Sequence, residues 1–325
     1  MKAAVYRRYG PPEAVVQIED VEKPVPKDNE VLIKVRAASV NPLDCVVKGP
    51  PYIVRGMFGL RKPKDIRLGV DVAGHVEAVG RTVIQFKPGD AVFGSCRGAF
   101  AEYACASESK VVLMSDNVTF EQAASVPVAA LTALQGVRDK RQVQPWQKIL
   151  INGAAGGVGT FAVQIAKSFG AEVTGVCSTK NVDMVRSIGA DHVIDYTQEN
   201  FTDSRQRYDL FFDLVGNHSL AACGRVLKSN GIYILAGVLG APEGRWIGPM
   251  APLLKTLMLS PFTGRELVVI LTKIRGEDLT IMRELMEAGK VTPVIGRHYR
   301  LREVPEAIRY LGQKHARGKL VITLE

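Results

Sequence analysis

The residues best suited to chemistry lie in one run, Lys148-Ile-Leu-Ile-Asn-Gly-Ala-Ala-Gly-Gly-Val-Gly-Thr-Phe-Ala-Val-Gln-Ile-Ala-Lys167. An apolar strand breaks at glycines and restarts with helical spacing. The helix N-terminus so presented has unpaired N–H groups and a positive dipole end that attract an anion, and the glycines let a pyrophosphate approach without Cβ interference. Gly153, Ala155, Gly156, Gly157, Val158 and Gly159 form this candidate cradle for a dinucleotide. Ala154 stands where the first glycine of the usual dinucleotide pattern would align, with Gly153 beside it. The remaining glycines still serve the turn, the close phosphate approach and the packing of helix on strand.

The next strand, Glu172-Val-Thr-Gly-Val176, ends in Cys177-Ser178-Thr179-Lys180. NAD-selective sites place a carboxylate about twenty residues beyond the glycines, where it binds the ribose diol and repels a 2′-phosphate. No carboxylate stands here. Ser178 can donate a hydrogen bond and Lys180 offers a positive charge, so the expected cofactor is NADPH rather than NADH. The five histidines, at 75, 192, 218, 298 and 315, contain no ligand-spaced pair. The five cysteines, at 45, 96, 105, 177 and 223, contain no Cys-x-x-Cys, which speaks against a zinc ribbon or a disulfide framework and for reduced thiols.

These groups need elements to hold them. The first third of the chain reads as short alternating strands, at Ala3 to Tyr6, Val15 to Ile18, Val31 to Ala37, Val72 to Val79, Ala91 to Phe93, Phe100 to Ala104 and Val111 to Leu113, a β-rich and barrel-like domain. From Phe120 an apolar helix leads into alternating strands and helices: strands at 148–151, 172–176, 192–195, 209–213 and 231–235, with helices at 157–169, 181–188 and 218–228. Such alternation predicts βαβ units and a parallel sheet covered on both faces. A terminal strand, Lys319 to Leu324, is expected to return to the first domain. Residues 240–265, where Trp246, Met250, Leu253, Leu254, Leu257 and Met258 sit among Gly, Pro and basic residues, are expected to form a loop and short helix over a substrate cleft or dimer interface, ahead of an amphipathic membrane-binding segment.

The chain has 325 residues, 46% of them hydrophobic and 23% charged, room for two domains of a soluble globular protein. There is no apolar run of membrane-spanning length, and Met1 to Tyr6 reads as a strand instead of a signal sequence, so the expected compartment is cytoplasmic. The formal charge of +9 is dispersed along the chain, without the basic stripe of a nucleic-acid binder.

Several segments together resemble the medium-chain dehydrogenase/reductase superfamily, in its zinc-independent quinone oxidoreductase and enoyl reductase branch. They are Ala38-Ser-Val-Asn-Pro-Leu-Asp44, Gly69-Val-Asp-Val-Ala-Gly74 with Val79-Gly80, Phe86-Lys-Pro-Gly-Asp-Ala-Val-Phe93, Ala130-Leu-Thr-Ala133, Gly153 to Gly159, Gly189-Ala-Asp-His-Val-Ile-Asp195 and Gly318-Lys-Leu-Val321. The resemblance implies an α/β fold: a Rossmann doubly wound parallel sheet, residues 123–292, interrupting a β-rich GroES-like barrel catalytic domain, residues 1–122 plus 293–325. It places Asn41 and Val70 where zinc-dependent relatives carry metal ligands, so no metal is expected. It assigns Asn41 and Tyr52 to catalysis, Asn41 donating an amide hydrogen bond and Tyr52 orienting substrate or delivering a proton. Asp44 is weighed equally as a helix cap. Tyr196 joins the 2′-phosphate contacts, while Thr132 and Lys319 reach the cofactor or substrate.

The function so implied is zinc-independent, NADPH-dependent transfer of hydride to a quinone or an α,β-unsaturated carbonyl by a homodimer. The alternatives are an NADP-dependent alcohol dehydrogenase or carbonyl reductase, and a non-catalytic NADPH-binding interaction protein. Nucleic acid is not an expected partner, and membrane association is disfavoured.

Overall fold

A computed structural model describes residues 1–50, 55–139, 143–236, 266–313 and 316–324. In chain order the strands are β1 (Lys2–Tyr6), β2 (Val16–Asp20), β3 (Glu30–Val40), β4 (Asp71–Val79), β5 (Ala91–Ser95), β6 (Tyr103–Ser107), β7 (Val111–Leu113), β8 (Lys148–Asn152), β9 (Glu172–Cys177), β10 (His192–Asp195), β11 (Tyr208–Asp213), β12 (Leu227–Leu235), β13 (Glu266–Val269), β14 (Ile295–Arg300) and β15 (Lys319–Thr323). The main helices are α1 (Pro127–Arg138), α2 (Gly157–Ser168), α3 (Val182–Ser187), α4 (Leu220–Arg225), α5 (Gly276–Glu287) and α6 (Val304–Gly312). They fall into two compact units, one comprising Met1–Leu131, Lys273–Gly289 and Pro293–Glu325, the other Thr132–Thr272 and Lys290–Thr292. This division runs through α1, beyond the 122/123 boundary read from the sequence. It also gives α5 to the first unit, where Ser115 and Asn117 hydrogen-bond to Glu287.

In the first unit β3 is the axis. Along one edge it pairs with β4 over nearly its whole length. Its other partners divide it, β6 taking Glu30 to Lys34 and β15 taking Ala37 to Val40, all antiparallel. Two register shifts against β4 bend the strand, as bulges do. Ile33 and Val35 face in and Lys34 and Arg36 face out, after which residues 37–40 are buried without alternation. The core beneath is built from Val31, Ile33, Val35, Val72, Val92, Phe100, Ile308, Leu320 and Ile322, among others.

In the second unit the sheet order is β10-β9-β8-β11-β12-β13, with every pairing parallel. Phe211 and Phe212 are adjacent and so point to opposite faces, yet both are fully buried, as in a sheet covered on both sides. The chain starts at central β8, adds strands outward to β10, then restarts at β11. This is the doubly wound Rossmann order, with its switch point between β8 and β11.

Three expected elements shift. The strand expected from Val15 begins at Val16, after a helical turn Pro12–Val15. The strand expected at Phe100 to Ala104 is Tyr103–Ser107, because Phe100 bonds to Leu68 and only Tyr103 onward reaches β3. The helix expected over 218–228 is capped by the Ser219 hydroxyl, which accepts from the Ala222 amide, and ends at Arg225, since Leu227 already pairs with Tyr208. Residues 240–265 and Tyr52 lie outside the described residues. Among the described residues no helix is long and apolar enough to cross a membrane.

Candidate functional site

Antiparallel pairing on both sides of β3 brings the starts of β4 and β15 against its end: Ser39 pairs with Asp71, and Val40 with Leu320. Ser39, Asn41, Asp71 and Lys319 therefore converge, with Asn41 2%, Asp71 0% and Lys319 3% exposed. Asp71 Oδ2 accepts from Ser39 Oγ and Asn41 Nδ2, both at 2.8 Å, while Asp71 Oδ1 accepts from the Val128 amide at 3.1 Å. Asn41 Nδ2 also donates to the Ser39 carbonyl at 3.2 Å, and Asn41 Oδ1 accepts from Lys319 Nζ at 2.7 Å. The amide orientation follows from this network, since a flipped group would turn its hydrogens on the ammonium. Lys319 Nζ donates further to the Val40 carbonyl at 3.2 Å and lies 3.5 Å from Asp71 Oδ2. Burial pushes the Asp71 carboxyl up and the Lys319 ammonium down, and their mutual attraction opposes both shifts.

Pro42 opens a 3₁₀ turn, Pro42–Lys48, directly after Asn41. Asp44 within it accepts from the Asn41 amide at 2.7 Å and from the Gly69 amide at 3.1 Å, so it caps the turn and ties it to the approach to β4. Its carboxyl is pushed up to about 7, chiefly by burial, against the lowering effect of those two amide bonds.

In the second unit the glycine run has the geometry of a cradle. Gly153 takes a left-handed φ of +87° at the end of β8, and α2 starts at Gly157. A Cβ on Gly159 would lie 2.1 Å from the Gly153 carbonyl oxygen, so this position keeps helix and strand close, while one on Gly156 would meet only that oxygen, at 3.4 Å. Gly156, Gly157 and Val158 are half-buried and Ala155 is buried. Beside them Asp213, fully buried at the end of β11, accepts from Asn152 Nδ2 at 3.0 Å, the Val215 and Gly216 amides at 3.0 and 2.9 Å and the Tyr233 hydroxyl at 2.8 Å. The groups present fit a dinucleotide: first-turn helix amides, glycines without side chains and a loop anchored alongside.

β9 and β10 run parallel with Cys177 beside Asp195, so Ser178 and Lys180 leave the sheet next to Tyr196. Lys180 is exposed, as is Tyr196 at 55%. The Ser178 hydroxyl accepts from Asn181 Nδ2 at 3.1 Å and keeps its own proton to donate. Thr132 is buried with its hydroxyl 2.5 Å from that of Thr272.

Comparison with known proteins agrees with both units. The Alcohol dehydrogenase GroES-like domain family matches residues 27–116, and the Zinc-binding dehydrogenase family matches residues 188–322. A quinone oxidoreductase of Sus scrofa is 32% identical over 100% of this chain and 98% of its own. The NADPH-dependent alkenal/one oxidoreductase of Arabidopsis thaliana chloroplasts is 32% identical over 99% of this chain and 79% of its own. The solved quinone oxidoreductase of Coxiella burnetii superposes with a TM-score of 0.88 at 30% identity, covering 100% of this chain and 99% of that one. This chain belongs to the medium-chain dehydrogenase/reductase superfamily. It falls in the quinone oxidoreductase and enoyl reductase branch.

For a medium-chain reductase the hub at the end of β3 is informative. Both Nδ2 hydrogens of Asn41 and the ammonium of Lys319 are engaged with other groups of the protein, and the two side chains face each other. The residue that joins them, Asp71, stood in a motif used for the resemblance but received no role from the sequence, and neither did Asp213. A signal was available. Each is a carboxylate at one end of a mostly apolar strand, and such a residue, when buried, is held by partners.

Proposed function

We propose that this chain is a zinc-independent, NADPH-dependent oxidoreductase that transfers hydride to a quinone or an α,β-unsaturated carbonyl. The hub carries this reading. Asn41 and Val70 stand at the positions that align with ligands of the catalytic zinc in related dehydrogenases, and the oxygens nearby, Asn41 Oδ1 and the Asp71 carboxylate, are engaged with Lys319. A divalent ion brought there would meet a like charge already in place. Bound at the glycines of β8 and α2, with Ser178, Lys180 and Tyr196 toward its 2′-phosphate and Thr132 toward its nicotinamide, NADPH supplies the hydride. An acceptor that spreads the incoming negative charge by conjugation needs no metal to hold it, and the pig and Arabidopsis relatives are named for acceptors of that kind.

Within this reading Asn41, Asp71 and Lys319 are positioning residues. They hold the start of the Pro42–Lys48 turn, from which the chain leads to Tyr52, the candidate that orients the acceptor or delivers the proton. The family resemblance supports a homodimer, and five free cysteines fit a reducing compartment such as the cytoplasm. NADPH oxidation followed by absorbance against quinones, enones, aldehydes and ketones, with metal analysis of the same preparation, tests the function. Turnover on quinones or enones without bound zinc is expected. Turnover confined to simple aldehydes or ketones, or activity that tracks one zinc per chain, would overturn the reading. A mass of one chain by light scattering would remove the dimer.

A further inference from the structure

Lys180 and Tyr196 stand on separate loops, so something must hold them side by side if both are to meet one phosphate. Strand register does part of this, and the Tyr196 amide donates to the Cys177 carbonyl at 3.0 Å. Side chains next to both residues do more. Thr197 donates its amide and its hydroxyl to Asp195 Oδ1, at 2.9 and 2.8 Å, and the Thr179 hydroxyl lies 2.8 Å from that of Thr197. Thr179 precedes Lys180 and Thr197 follows Tyr196, so the bonds bridge the two loops at the residues that flank the candidate phosphate contacts. Hydrogen bonding from Thr179 first, then from the Thr197 amide and hydroxyl, holds the Asp195 carboxyl below the usual carboxylate range.

We propose that Thr179, Asp195 and Thr197 form a clasp that positions Lys180 and Tyr196 for the 2′-phosphate, and that this clasp sets the preference for NADPH over NADH. The inference rests on the reading of Lys180 as a phosphate contact. Both threonines are exposed, so each can be replaced by valine with its shape retained and little risk to the fold.

Calorimetric titration with NADPH and with NADH, without any acceptor, gives both dissociation constants for the wild type, Thr179→Val, Thr197→Val, Thr197→Ser and Lys180→Ala. The valine variants are expected to weaken NADPH by about five- to tenfold while NADH stays within about twofold, and Thr197→Ser is expected to restore wild-type binding. NADH is the internal control, because the two cofactors share everything except the phosphate. Equal weakening of both cofactors, or unchanged NADPH binding in the valine variants while Lys180→Ala weakens it, overturns the clasp. If Lys180→Ala leaves NADPH binding unchanged, the phosphate reading itself fails and the clasp with it.

Discussion

Two lysines near strand ends in this molecule sit in opposite surroundings. Lys319 starts β15 and is buried, with Asn41, Val40 and Asp71 around its ammonium. Lys180 follows β9 and is exposed. A buried charge must be held by the protein itself, so Lys319 contributes through the geometry it enforces on Asn41 and the turn beyond. An exposed charge costs little to leave in water and can meet a ligand, so removing Lys180 is expected to cost affinity instead of stability. The same residue type therefore predicts two different losses when removed, one of stability and one of selectivity.

The largest expected effect tests the first half of that contrast. Lys319→Met leaves the Asp71 carboxylate buried without its cation and should cost about 3 kcal/mol of stability, read as a lower urea midpoint. Adding Asp71→Leu to that variant should recover part of the loss, because no orphaned charge remains. A midpoint unchanged by Lys319→Met would mean that the hub is not an ionic unit. Next in size is Gly159→Ala, whose Cβ would press on the Gly153 carbonyl at 2.1 Å. It should cost about 2 kcal/mol and disrupt NADPH binding at the same time, since cradle and packing share this contact. Wild-type NADPH affinity in that variant would separate the two.

The same contrast explains what could be read before the structure. Elements defined by long-period signals were legible: β8 and α2 around their glycines, the alternation that makes the sheet parallel, and Lys319 on a strand that pairs with β3. The expectation for Lys180 and Ser178 needs no long-range pairing, because it rests on residue type and position after β9 alone. The hub could be read only in part. Asn41 was found by resemblance, but the direction of its amide depends on Asp71 and Lys319, which lie far away along the chain and meet it only through strand register. Local elements shifted for a similar reason: Leu227 follows helical spacing but pairs with Tyr208, so tertiary pairing overrides propensity there.

The third prediction addresses the exposed lysine. Lys180→Ala should weaken NADPH by about tenfold and leave NADH and the urea midpoint nearly unchanged. A drop in stability like that of Lys319→Met would erase the distinction between the two sites.

The smallest effect sharpens the comparison through pH. In the hub, Asp44 is pushed from its ordinary 3.8 to about 7 chiefly by burial, with Asp71 adding and the Asn41 and Gly69 amides and Lys319 opposing. The folded protein thus holds a proton that the unfolded chain releases, so this group's contribution is fully present below about 4 and is lost as pH rises through about 7. On the exposed side Asp195 shifts the other way, because its threonine bonds favour the ionised form; its contribution is present above the ordinary carboxylate range and is lost on acidification. Melting temperatures between about pH 4 and pH 8 should therefore fall with rising pH in the wild type relative to Asp44→Asn, which cannot titrate. The variant starts lower, because its amide must turn a non-accepting NH2 toward one of the two backbone donors, whereas both oxygens of a carboxylic acid can still accept, and the gap between the two proteins should narrow toward alkaline pH. Parallel profiles would show that Asp44 is ionised in the fold throughout, and the hub would then carry two buried carboxylates against one ammonium.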